Sequence, residues 1–85
     1  MIEYSRMNQG PEKRVYGIPE ARVAIAAEAT TTLQRLRDNK RMNTGQRAQM
    51  IAEIESLLKR SDDPSASRQL DEIDTKAKRI LKHLA

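Results

Sequence analysis

The chain has 85 residues, enough for one small domain, and a formal net charge of +4. It contains no cysteine, phenylalanine or tryptophan, which excludes disulfide frameworks, zinc–cysteine sites and thiol nucleophiles and leaves the core to aliphatic side chains. Because such a small core supplies only about 3–5 kcal/mol, we expect the domain to be modestly stable and to associate with a partner or with itself.

The sequence shows no feature of a membrane protein. No apolar run approaches the ~18 residues that a membrane span needs. The first residues, Met1 to Arg6, lack the apolar stretch of a signal peptide. We therefore expect a cytoplasmic protein.

Residues 1–17 are predicted to form an extended N-terminal arm. Gly10–Pro11, Gly17 and Ile18–Pro19 interrupt regular structure along this stretch. The arm nevertheless carries Tyr4 and Tyr16, the only aromatic residues of the chain, together with Val15. A segment of this composition is expected to dock on something.

The first helix is predicted from Pro19 to about Asn39, since proline favours the first helical position. Its inner stripe recurs at helical spacing and comprises Ile18, Ala21, Ile25, Ala29, Leu33 and Leu36. Its opposite side, here called the outer face, comprises Val23, Ala24, Ala27 and Thr31. A helix that is apolar on both sides is normally covered on both sides.

Three explanations of the outer face stay open. The protein's own arm folds back onto it through Val15 and Tyr16, another molecule covers it, or the alanines serve helix propensity alone. The first two predict opposite results for Ala27→Arg, which unfolds the chain in one case and abolishes binding in the other.

The second helix is predicted over residues 44–60, capped by Asn43 or Thr44. Its apolar residues fall on one stripe, formed by Met50, Ile51, Ile54, Leu57 and Leu58. The stripe needs two neighbouring helices to cover it, and the first and third helices supply them.

The third helix is predicted over residues 64–84, with Asp63 as its cap and Pro64 at its first position. Its apolar residues alternate by four and three, as Ala66, Leu70, Ile73, Ala77, Ile80 and Leu84. The stripe suits a coiled-coil dimer, but a bundle needs the same residues. Asp74 and Lys78 form an i,i+4 pair on what we take to be a solvated face.

Short turns force consecutive helices to run antiparallel. The sequence therefore predicts an all-α, antiparallel up-down-up three-helix bundle over residues 18–85, preceded by the arm.

Nothing in the sequence favours catalysis. The single histidine, His83, has no second ligand at metal-binding spacing, so we interpret it as a surface residue. The glycines at 10, 17 and 45 are isolated and form no phosphate-binding loop. We expect no enzyme activity, catalytic residue, metal, cofactor or small-molecule substrate.

Five positive side chains surround the first turn. This basic cluster comprises Arg35, Arg37, Lys40, Arg41 and Arg47. It has three interpretations: complementing a helix end and keeping the turn soluble, contacting nucleic-acid phosphates, or contacting an acidic protein. Recognition of DNA by a helix-turn-helix is disfavoured, because Glu53 and Glu55 on the second helix oppose phosphate.

The sequence thus favours a small interaction module that docks on a larger protein or assembly. Its predicted contact residues are Tyr4, Val15, Tyr16 and the outer face. An accessory subunit of a multiprotein particle (of phage or plasmid type, judging by size), a small inhibitor and a homo-oligomer all fit. A nucleic-acid-binding accessory protein that uses the basic cluster is the alternative.

Overall fold

A computed structural model describes residues 15–84. Within that range the chain forms three helices and no strand: α1 over Pro19–Asp38, α2 over Thr44–Leu58 and α3 over Pro64–Leu84. Each helix contacts both of the others. The three-helix, all-α fold is therefore confirmed. Of the predicted arm, Val15, Tyr16 and Gly17 are described, and Tyr4 lies outside the described residues.

Side-chain caps define where the helices begin. Asn43 Oδ1 accepts a hydrogen bond from the Gln46 amide at 3.0 Å at the start of α2. Asp63 Oδ2 accepts one from the Ala66 amide at 3.2 Å at the start of α3. Both caps satisfy amides that have no partner within the helix, as the sequence predicts. α1 instead begins at Pro19 and has no side-chain cap.

The turn between α1 and α2 is built by one asparagine. The Asn39 Oδ1 atom accepts hydrogen bonds from the amides of Arg41 and Met42, both at 2.9 Å. This closes the turn so that Met42 is buried, with 5% of its surface exposed. The sequence predicts Met42 only as part of a turn, and the structure adds it to the core.

Two helices end earlier than predicted. α1 ends at Asp38, one residue before Asn39, and α2 ends at Leu58, two residues before Arg60. After α2, the amides of Arg60 and Ser61 donate to the carbonyls of Leu57 and Leu58 at 3.0 and 3.3 Å. These tighter i→i+3 bonds replace the i→i+4 pattern, as is common in the last turn of a helix.

The core lies on the line where the three helices meet. It is aliphatic throughout, and its buried apolar residues are Ala29, Leu33, Leu36, Met42, Met50, Ile54, Ala66, Leu70, Ala77 and Leu81. Ile54 and Leu70 are fully buried. At about 25 cal/mol per Å² of apolar surface, each contributes about 1.5–3 kcal/mol.

The predicted stripe of α3 requires correction. Ile73, Ile80 and Leu84 are half-buried, whereas the buried line continues from Leu70 through Asp74 to Leu81. Ala66, Leu70 and Ala77 of the predicted stripe are fully buried, and Ile73, Ile80 and Leu84 pack against the edge of the core. Because α3 lies against both α1 and α2, its buried line also takes in Asp74 and Leu81, which the prediction left out. Ile18, predicted on the inner stripe of α1, is also 47% exposed.

Candidate functional site

The outer face of α1 is exposed. Val23 has 68% of its surface accessible, and Ala24, Ala27 and Thr31 are exposed as well. The hydroxyl of Thr31 donates to the Ala27 carbonyl at 3.3 Å. Because that bond occupies the hydroxyl, Thr31 presents its methyl group to solvent among alanines. The outer face is thus an apolar strip along one side of α1.

Tyr16 does not lie on the outer face. Its hydroxyl donates to Asp71 Oδ2 on α3 at 2.6 Å, and Arg22 Nη1 donates to the Tyr16 carbonyl at 2.7 Å. These bonds direct Tyr16 towards α3 and leave Val15 38% exposed. Ala27 is exposed, so among the described residues the outer face is not covered by Val15 and Tyr16.

Exposed large apolar side chains are concentrated at the N-terminal end of α1 and just before it. Val15, Ile18 and Val23 are the exposed large apolar residues of the described chain, and all three fall within nine residues. A shallow groove of about 250 Å³ runs beside Val23 between the start of α1 and the turn after α2. It is lined by Pro19, Arg22, Val23, Ala26, Ser61 and Asp62. The sequence placed Ile18 on the inner stripe and did not predict its exposure. It also did not predict that residues 61 and 62 line this groove, because that depends on how the turn after α2 packs against α1.

Three arginines of the basic cluster have partners within the protein. Arg37 forms an ion pair with Glu55, Arg47 donates to the Asn39 carbonyl, and Arg41 donates to the Leu84 carbonyl at 2.7 Å. The contact of Arg41 lies at the C-terminal end of α3, where a positive charge is favoured by the helix dipole. These bonds support the structural interpretation of the cluster for three of its members.

The two remaining members of the basic cluster differ. Arg35 and Lys40 are exposed and have no ion pair or hydrogen bond with another side chain within residues 15–84. They are therefore the members whose charge is available to a partner.

A buried carboxylate lies between α3 and α1. Asp74, predicted on a solvated face, has only 2% of its surface exposed. Its Oδ2 atom pairs with Lys78 Nζ at 3.1 Å, and the same nitrogen pairs with Glu28 Oε1 of α1 at 3.1 Å. Hydrogen bonds to Asp74 and then to Glu28 raise the pKa of Lys78 above its ordinary 10.5. The three side chains join the two helices.

Three polar side-chain atoms of residues 15–84, on α1 and α3, are buried without a hydrogen bond. Asp74 Oδ1, Ser67 Oγ and Arg22 Nε have no hydrogen-bond partner among the described residues. The Thr32 hydroxyl, on a residue that is 1% exposed, is paired because it donates to the Glu28 carbonyl at 3.1 Å. Leaving a buried polar atom unpaired costs about 1–3 kcal/mol. Each of the three unpaired atoms therefore lowers the stability of the fold.

His83 is exposed on α3. Over residues 15–84, no group of three or more histidine or acidic side chains is arranged to hold a metal ion. In the same part of the chain, none of the helices has the length and apolarity to cross a membrane.

The sequence matches no protein-family model, and neither the curated proteins nor the solved structures compared with it are significantly similar.

Proposed function

We propose that the protein is a non-catalytic, cytoplasmic helical module that binds another protein through its N-terminal arm and the outer face of α1. The observation that carries the proposal is the position of Val15, Ile18 and Val23, the exposed large apolar residues of the described chain. They fall within nine residues where the arm joins α1, and Val23 is part of the outer face. Exposed large apolar side chains concentrated in one segment support an interaction surface there.

The proposal includes an antiparallel up-down-up bundle with a separate arm. Its support is the shortness of the connections, residues 39–43 and 59–63. Further support comes from two pairs with α3: Glu28 of α1 meets Lys78, and Arg41, in the turn after α1, meets Leu84 at the end of α3. Residue numbers therefore rise in the same direction along α1 and α3. In this arrangement the outer face of α1 points away from both other helices.

The test compares two alanine-to-arginine variants. Ala27→Arg places a charge in the outer face, and Ala48→Arg places the same charge on an exposed position of α2. Each variant is used as bait in a cell extract, after circular dichroism has shown that it remains helical. We expect Ala27→Arg to lose the proteins captured by the wild type and Ala48→Arg to retain them. Equal capture by both variants would refute the role of the outer face.

The role of the arm is tested separately by deleting residues 1–14. This deletion keeps Tyr16, so its bond to Asp71 remains. We expect capture to weaken while the thermal unfolding midpoint of the bundle changes little. An unchanged set of captured proteins would remove the arm from the proposal.

Nucleic-acid binding through the basic cluster is the second candidate, favoured by the free, exposed side chains of Arg35 and Lys40. Two phosphate contacts predict a slope of log K against log salt of about −1.8 on duplex DNA, and all five members predict about −4.5. Binding of a fluorescent duplex at several salt concentrations measures the slope. An absence of binding at low salt would exclude this candidate.

A further inference from the structure

We infer that the partner of the outer face is a second copy of this chain, docked antiparallel across a two-fold axis beside Ala27. The inference rests on the proposed function and names the molecule that the outer face binds. Its basis is a symmetry of charge along α1, in addition to the exposed apolar side chains.

Two exposed and unpaired charges of opposite sign flank the outer face. Glu20 lies seven residues before Ala27 and Arg35 lies eight residues after it. Both are exposed, and neither forms an ion pair within the described part of the chain. Glu28 and Arg37 already pair with Lys78 and Glu55. Asp38 is also exposed and without an ion pair among the described residues, but it is the last residue of α1 and lies beyond Arg35, so an antiparallel copy would bring it level with Gly17 and not with a charge.

These positions suit a two-fold antiparallel dimer. The midpoint between Glu20 and Arg35 falls beside Ala27, so reversing a second helix about that point brings Glu20 opposite the second copy's Arg35. The symmetry repeats the pair, which gives two ion pairs per dimer. A parallel arrangement would instead place each charge opposite its own copy and would repel at both ends.

The side chains between the charges permit close approach. Ala27 would meet its own copy at the axis, and Ala24 would lie against Thr31 of the second molecule. Small residues allow helix axes to come within about 8 Å. Val23, 68% exposed, supplies the largest apolar surface of the contact. The two antiparallel helix dipoles also attract each other.

The contact is small, which predicts weak association. A standard interface buries about 800 Å² per partner, roughly one-seventh of the 5781 Å² accessible surface of the chain. One face of a helix about 30 Å long provides less than this. We therefore expect a dissociation constant on the order of 100 µM, typical of transient contacts.

Cysteine cross-linking tests the axis directly, because the chain contains no cysteine of its own. With the axis beside Ala27, the two copies of Ala27→Cys are offset by about 1.5 Å along the helices, and those of Thr31→Cys by about 10 Å. A disulfide requires Cα atoms within about 7 Å. We expect oxidation at 200 µM protein, about twice the dissociation constant, to link Ala27→Cys and to leave Thr31→Cys and the Ala48→Cys control unlinked. Equal linking at Thr31 would overturn the antiparallel arrangement.

Charge reversal tests the ion pairs by sedimentation equilibrium. Glu20→Arg or Arg35→Glu alone turns both attractive pairs into repulsive ones, and we expect the dissociation constant to rise about tenfold at low salt. The double variant restores both pairs and is expected to return to within about twofold of the wild type. A double variant as weak as the single ones would overturn the pairing.

The two proposals fail in different ways. A wild type that stays monomeric at about 1 mM, ten times the dissociation constant, would overturn the inference. If Ala27→Arg still lost another captured protein, the proposed function would stand with a different partner. If Ala27→Arg changed neither self-association nor capture, both proposals would fail.

Discussion

The pair of Asp74 and Lys78 allows a sharp test, because its two members differ in burial. Asp74 is 2% exposed, whereas the Lys78 side chain is 43% exposed. Lys78→Met keeps the aliphatic stem but leaves the Asp74 carboxylate buried with no positive partner. Asp74→Leu removes the carboxylate, and with it the unpaired Oδ1 atom, while Lys78 keeps its pair with Glu28.

The two substitutions should therefore have unequal costs. Removing one partner of a fully buried ion pair destabilises a protein by about 3–5 kcal/mol. Because Lys78 is partly exposed and water screens it, we expect Lys78→Met to cost about 1–3 kcal/mol. Asp74→Leu removes the buried charge itself, and Lys78 stays partly exposed and paired with Glu28. Because no buried charge is left without a partner, Asp74→Leu should lie within about 1 kcal/mol of the wild type.

Urea unfolding followed by circular dichroism measures the free energy of unfolding of the wild type, Lys78→Met and Asp74→Leu. The exposed Lys82→Met is the control for loss of a lysine on the same helix. The double variant Asp74→Leu/Lys78→Met is expected to regain most of the stability that Lys78→Met loses. If Asp74→Leu cost as much as Lys78→Met, the carboxylate would be a net stabilising group and the reasoning would be refuted.

Two further predictions follow from burial and ionisation. Ile54→Asp places a charge at a position with 0% exposure. We expect it to abolish the helical circular dichroism signal, because the free-energy cost of burying an isolated charge exceeds the small stability of the domain. A fully helical variant would contradict the placement of Ile54 in the core. The pKa of Lys78 is raised in the folded state, so the stability it contributes is complete below pH 10.5 and is lost as pH rises through the folded pKa. Thermal unfolding at pH 9 to 11.5 should show this loss in the wild type, and a smaller one in Lys78→Met.

Local features of the fold could be read from the sequence. Pro19, Asn43 and Asp63 mark helix starts because their effect depends on a few neighbouring amides and not on distant packing. Ile54 and Leu70 could be placed in the core because helical periodicity alone puts them on the apolar side of α2 and α3. The chemistry of the turns and the period of the apolar residues thus determined the number of helices and their type.

The candidate site was only partly predictable, for a physical reason. Helical spacing alone places Val23 and Ala27 opposite the inner stripe, but the sequence left open whether the arm covers them. The path of Tyr16 could not be predicted, because it depends on a 2.6 Å bond to Asp71, 55 residues away. A contact of that separation has no periodic signature in the sequence.

The burial of Asp74 could not be predicted from the sequence either. By type it belongs on a solvated face, and its spacing from Lys78 predicts an ordinary surface pair. Only the placement of α1 and α2 decides which line of α3 is buried, and that line passes through Asp74. The sequence by itself therefore determined which segments are helical and where they begin. The tertiary structure decided which polar groups lose water and which apolar ones keep it, because burial depends on what lies across from a side chain and not on its neighbours along the chain.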